Sequence, residues 1–147
     1  MALPEALVDD VVAAKGEREP YASAAEQLTL ADLVASGAYD RHVRRMRQRH
    51  RSRRDRLVAV LAERAPHVRV SGISAGLHAV LDLPRGSERT VVEAAAWQGL
   101  AVEGLADYRH PHDTGAGRDG LVVGYATPPE HVYEEALDAL CRALPPG

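Results

Sequence analysis

Ala38 to Arg64 reads AYDRHVRRMRQRHRSRRDRLVAVLAER, a run without glycine or proline between Ser36-Gly37 and Pro66. Tyr39, Val43, Met46, His50, Leu57 and Val60 recur at alternating steps of four and three, with one gap at Arg53. That spacing predicts a long helix with one narrow buried stripe. Nine of the chain's seventeen arginines lie between Arg41 and Arg56, against one acid in that interval, Asp55. The interval is therefore +8, and the remainder must carry −11 to reach the overall −3. The other faces of this helix must be solvated or paired.

The 147 residues suffice for one ordinary domain with a self-sufficient core. An apolar fraction of 46% with 27% charged residues places the chain among globular proteins rather than disordered ones. There is no Phe and a single Trp, Trp97, so the core must be built from Leu, Val and Ala. The lone Cys141 excludes an internal disulfide and suits a reducing compartment. The opening MALPEALVDDVV has acids where a signal peptide needs basic residues, and no apolar run approaches a membrane span. The expectation is a cytoplasmic protein without membrane contact.

Residues 3–15 read as a helix opened by Pro4 and Glu5 and stopped at Lys15-Gly16. Residues 23–36 read as a second, offering Leu28, Leu30, Leu33 and Val34 for burial before Gly37 closes it. Beyond Pro66 the period changes. Val68-Arg69-Val70 alternates, and residues 77–83 (LHAVLDL) read as a well-buried strand ending at Pro84. Ser87 is the expected N-cap of a helix carrying Val91, Val92, Ala95 and Ala96 and ended by Gly99. Residues 100–103 suit a short strand, 106–119 a loop rich in Gly, His and Asp, and 121–126 another strand. Thr127-Pro128-Pro129-Glu130 reads as a capping box opening the last helix. The fold class is thus α+β: N-terminal helices, then a small β-β-α-β-β-α unit with its helices on one face of a sheet.

Candidate chemistry is sparse. The arginine run is a possible phosphate surface, but it lacks a zipper, interleaved aromatics or a zinc motif. The plainer reading pairs it with acids such as Glu103, Asp107 and Glu134. His110-Pro-His112 beside Asp113 is the nearest approach to a metal cluster, and no second cluster completes it. His78, in an apolar strand, reads as a core or pocket-edge residue. Cys141 reads as a small hydrophobe, with neither base nor orienting partner for nucleophilic work. DTGAGRDG lacks the strand-to-helix context of a phosphate cradle.

In one order, residues 27–37 (QLTLADLVASG), the opening YDRHVRRMRQRH, residues 75–84 (AGLHAVLDLP) and residues 122–129 (VVGYATPP) resemble the C-terminal part of fold-type I aminotransferase-like proteins. The similarity is strongest to the MocR-type subgroup of GntR transcription regulators, in which a winged helix-turn-helix domain is joined to an aminotransferase-like domain holding pyridoxal phosphate. The resemblance implies three parts: residues 1–37 as helices of the large domain, 38–64 as the long connecting helix, and 65–147 as the small domain. It explains why the first two helices have apolar faces and no strands to cover.

The same resemblance places the Schiff-base lysine, the pyridine-pairing Asp and the phosphate loop outside this chain. The single lysine, Lys15, does not match the family's position. The substrate-carboxylate arginine of related aminotransferases aligns with Val122, which has no fork to clamp a carboxylate. No catalytic or metal-binding residue is assigned, and the expectation is no transaminase activity from this chain alone. Gly76, His78, Tyr108, Arg109 and His110 are implied as edge residues of the cofactor or effector pocket. The implied role is a truncated or separately encoded part of a regulator, contributing to dimerisation and to a pocket for pyridoxal phosphate and an amino-acid-like effector. Its partners would be a second copy or the large domain, with DNA reached only through a domain outside this sequence. Two other readings stand: the C-terminal part of a class I/II aminotransferase, and a stand-alone dimerisation or nucleic-acid-binding module built on the arginine helix.

Overall fold

The long helix forms as its sequence predicts. In a computed structural model describing residues 4–15, 23–72, 76–110, 112 and 117–147, α3 runs Ala38–Arg64. It follows α1 (Val8–Lys15), entered through a 3-10 turn at Glu5–Leu7, and α2 (Ala24–Ala35). Glu26 reaches back to accept the Ser23 N–H at 3.3 Å, stabilising the first turn of α2. Gly37 then takes φ +69°, a left-handed conformation that separates α2 from α3 at little cost only for glycine.

The chain divides into two units, residues 1–43 and 44–147. In the first, side chains that α2 offers for burial are open to solvent: Leu28, Leu30 and Val34 are each more than half exposed, as is Val12 of α1. A helix whose apolar residues remain wet draws nothing from burial, so α2 rests on propensity and capping.

The second unit holds the core. After α3 come β1 (Arg69–Ser71), β2 (His78–Asp82), α4 (Glu88–Trp97), β3 (Glu103–Gly104), β4 (Gly120–Gly124) and α5 (Tyr133–Ala143), the β-β-α-β-β-α order read from the sequence. The strands form one antiparallel sheet, β1-β2-β4-β3. Ala79, Leu81, Leu121 and Val123 point to the closed face, where they join Leu57, Val60 and Leu61 of α3, Val91 of α4 and Leu137 and Leu140 of α5. Leu57, Leu61, Leu81 and Leu121 are fully buried, each stabilising the unit by about 1.5–3 kcal/mol.

Four local expectations need correction. The strand expected at 77–83 begins at His78, and Leu77 and His78 are exposed rather than buried. The strand expected at 100–103 is only Glu103–Gly104, because residues 100–102 are spent climbing back from α4. Ser87 occupies the N-cap but donates its hydroxyl to the Pro84 carbonyl, while Asp119 Oδ2, from across the sheet, accepts the Glu88 N–H at 3.2 Å. The Thr127–Glu130 capping box does not form. Glu130 opens a 3-10 turn and α5 starts at Tyr133, and the Glu130 carboxylate is paired with the Arg53 guanidinium rather than with a backbone N–H.

Candidate functional site

The register of β2 on β4 creates a closed face and an open one. His78 lies opposite Gly124, Val80 opposite Val122 and Asp82 opposite Gly120. These alternate with the core residues and leave the open face only partly covered. On the outer side of β4, Val122 pairs with Glu103. Gly124 faces His78 closely: a Cβ there would lie 3.4 Å from His78 Cδ2 and 3.9 Å from Thr127 Oγ1.

Two sets of contacts hold the end of β4. On one side, the Tyr125 hydroxyl donates to the Gly76 carbonyl and the Tyr125 N–H donates to Leu77 O at 3.2 Å. On the other side stands Arg53, the gap in the apolar stripe of α3. Its side chain is 3% exposed. It donates to the carbonyls of Tyr125 (3.4 Å) and Ala126 (3.0 Å) and to Glu130 Oε2 (2.9 Å), and its guanidinium stacks 4.7 Å over the Tyr133 ring. Tyr133 returns a hydrogen bond to Arg53 O at 2.8 Å. Burial pushes the Tyr133 phenol up to about 12 against the opposing influence of Arg53. The Arg53 guanidinium holds the Glu130 carboxyl below its ordinary range. The gap was thus no gap; Arg53 is the stripe residue that positions the turn beside Gly124 and Thr127.

Of the acids expected to meet the arginines, Glu134 does so, binding Arg56 in a fork at 2.9 and 2.6 Å. Glu130 takes Arg49 and Arg53, and Asp138 takes Arg64. Glu130, Glu134 and Asp138 recur every four residues, so the turn before α5 and one flank of α5 present a row of acids to one flank of α3. Glu103 instead accepts from the Tyr108 hydroxyl, and that bond raises the Tyr108 pKa.

Gly76 and His78 are therefore brought together at the mouth of the open face, near Gly124 and Thr127. Tyr108, Arg109 and His110 lie exposed on the β3–β4 connection with local partners. Arg109 donates to Arg118 O at 2.8 Å, and the His110 and His112 rings sit 5.2 Å apart. Asp113 lies outside the described residues. Among the described residues no group of three His, Cys, Asp or Glu is placed to hold a metal. Glu88 secures this connection at both ends, accepting the Ala106 N–H at 3.0 Å and the Gly120 N–H at 2.9 Å. Cys141 packs against the core, and burial raises its thiol pKa.

A cleft of about 710 Å³ opens beside the short β3, between residues 98–103, the end of β4 and α5. Leu100, Val102, Val123 and Ala136 line it, and the Gln98–Arg142 hydrogen bond of 3.0 Å crosses its rim. Nothing in the linear pattern announced it, because it exists only where a two-residue strand leaves β4 uncovered.

No family model matches the chain. It is 32% identical over 121 residues to the uncharacterized HTH-type transcriptional regulator YdeL of Bacillus subtilis, covering 80% of this chain and 25% of that protein. It is 33% identical over 122 residues to the HTH-type pyridoxine biosynthesis transcriptional regulator PdxR of Corynebacterium glutamicum, covering 82% and 26%. The chain thus spans about a quarter of the length of these relatives. Among solved structures, the α-aminoadipate aminotransferase LysN of Thermus thermophilus superposes with a TM-score of 0.74 over 97% of this chain and 36% of that one, at 24% identity. No helix among the described residues is long and apolar enough to cross a membrane. The chain has the C-terminal fold of the fold-type I pyridoxal-phosphate aminotransferases and is related to the MocR-type regulators of the GntR group.

Proposed function

We propose that this chain supplies the small-domain wall of an effector pocket in an aminotransferase-like transcription regulator and is not itself a transaminase. The observation that supports the reading is the open sheet face, where His78 lies opposite Gly124 and Val80 opposite Val122. The resemblance sets Val122, which offers no cation, at the position of the substrate-carboxylate arginine. A pocket wall without a bidentate clamp suits occupancy sensing better than turnover.

Pyridoxal phosphate would demand a lysine amine, a phosphate cradle and a carboxylate for the ring nitrogen. This face offers the His78 imidazole, the Thr127 hydroxyl, backbone groups and the Asp82 carboxylate, which is paired with Arg118, and the one lysine, Lys15, ends α1. That donor set does not fit holding the cofactor unaided. Residues 1–37 then serve as part of the large domain, 38–64 as connector and 65–147 as the small domain, with Gly76, His78, Tyr108, Arg109 and His110 at the pocket edge. The exposed leucines of α2 support a further protein surface, from the large domain or a second copy, covering that helix. The compartment is cytoplasmic in this reading.

Two measurements test it. Mass spectrometry of the native polypeptide is expected to find this sequence joined to a lysine-bearing large domain and a helix-turn-helix. Titration of the 147-residue chain with pyridoxal phosphate and amino acids is expected to give neither a stoichiometric aldimine absorption band nor keto-acid product. Turnover by the 147-residue chain alone would overturn the proposal.

A further inference from the structure

Eight of the ten arginines of α3, all but Arg41 and Arg45, fall into two sets by helical phase. Arg49, Arg53, Arg56 and Arg64 are the set paired with Glu130, Glu134 and Asp138. Arg44, Arg47, Arg51 and Arg54 are the other. At 100° per residue these four fall within an arc of about 80°, centred roughly 110° away from the buried stripe. Arg44, Arg47 and Arg51 are exposed and Arg54 half-buried, and among the described residues none of the four has an ion pair or hydrogen bond. Arg44, Arg47, Gln48 and Arg51 together line a shallow groove of about 360 Å³.

We infer that this arc is a binding surface for the phosphate backbone of duplex DNA. Four guanidiniums stand along roughly 15 Å of a straight helix. A rigid row of this kind suits a rigid polyanion, and duplex DNA presents about one charge per 1.7 Å of axis. Guanidinium forks match phosphate oxygens in pairs. An acidic protein surface is the competing occupant. Protein interfaces place aromatic and apolar side chains at their centre and deplete charge there. From Arg44 to Asp55 this side of the helix offers Arg, Gln48 and one acid, Asp55, and no apolar or aromatic side chain. No base-reading element accompanies it, so the binding is sequence-independent. The preference for DNA over RNA rests on the regulator reading above; the phosphate recognition itself does not.

Fluorescence anisotropy of the 147-residue chain with a labelled 20-base-pair DNA duplex, over a potassium chloride series, tests this. The wild type is expected to bind in the micromolar range at 50 mM salt. The R44A/R47A/R51A/R54A variant should lose at least tenfold in affinity. Its plot of log K against log salt should flatten by about 3–4 in slope, because each phosphate left unneutralised removes about 0.9. The corresponding quadruple Lys variant should stay within a few fold of wild type, as should the remote control R85A/R89A. Absence of wild-type binding at 50 mM salt, an unaffected quadruple Ala variant, or equal loss in the control would overturn the inference. Tighter binding of poly-glutamate or duplex RNA than of DNA would overturn the choice of partner. So would sedimentation in which the quadruple Ala variant dissociates a self-associated species without changing DNA affinity. Neither measurement proposed for the effector pocket depends on these outcomes.

Discussion

Arg51 and Arg53 stand two positions apart on the same helix and have opposite fates. Arg51 is exposed, whereas Arg53 is nearly sealed, carrying the end of β4 on its guanidinium and Tyr133 on its face. Residue type does not separate them; phase does. Two residues are about 200° of helix, enough to move a side chain from solvent into the seam. An arginine in a stripe can therefore be a structural member when backbone carbonyls and a carboxylate take its terminal N–H groups, even though the buried Arg53 Nε–H has no partner among the described residues.

The comparison can be broken in several ways. Leu57→Ala, one turn beyond Arg53, should cost about 2–5 kcal/mol by urea denaturation, because it empties a fully buried leucine site. Arg53→Ala should cost about 2–3 kcal/mol, since the Tyr125 and Ala126 carbonyls lose their donor. Arg51→Ala should stay within about 0.5 kcal/mol of wild type. Equal effects from the two arginine variants would refute the assignment of Arg53 as a support. Gly120→Ala tests the sheet in the same spirit. Its Cβ would come within 2.9 Å of the Leu81 carbonyl, so a loss of about 1–2 kcal/mol is expected, while Gly124→Ala, in ordinary contact with His78, should be mild.

Titration sharpens the contrast without cutting side chains. The Glu130 carboxyl is depressed in the folded state, chiefly by its hydrogen bond from Arg53. Its contribution is therefore present above the ordinary value of 4.5 and fades as pH falls below it toward the folded pKa. Glu130→Gln should flatten the acid limb of stability against pH. Tyr133 behaves in the opposite sense. Its pKa is raised from 10 to about 12, so its contribution is complete below pH 10 and is lost as pH climbs toward 12. Ultraviolet titration should find a phenol ionising near 12, and Tyr133→Phe should remove that phase.

Much of this architecture was legible in the chain. The 27-residue helix, the change of period after Pro66 and the β-β-α-β-β-α order follow from apolar spacing and from Gly and Pro positions. Those signals are local, because helical and strand periods are written within a few residues. The ordered resemblance to the regulators rested on the same legible segments. Partner choice was legible only in part. The arginines were paired in expectation with Glu103, Asp107 and Glu134; Glu134 does meet Arg56, but Arg53 and Arg64 go to Glu130 and Asp138. A sequence carries charges without stating which two elements will face each other.

Length, composition and periodicity by themselves determined the helices, the order of strands and helices along the chain, and the excess of positive charge on α3. Tertiary structure alone decided that Arg53 completes the buried stripe, that Glu130 abandons its cap, and that the two-residue β3 leaves a cleft beside β4. The reason is range. Secondary structure follows from neighbours along the chain, whereas the Arg53–Glu130 bond joins groups 77 residues apart, and its strength exists only once the sheet and α5 have excluded water around them.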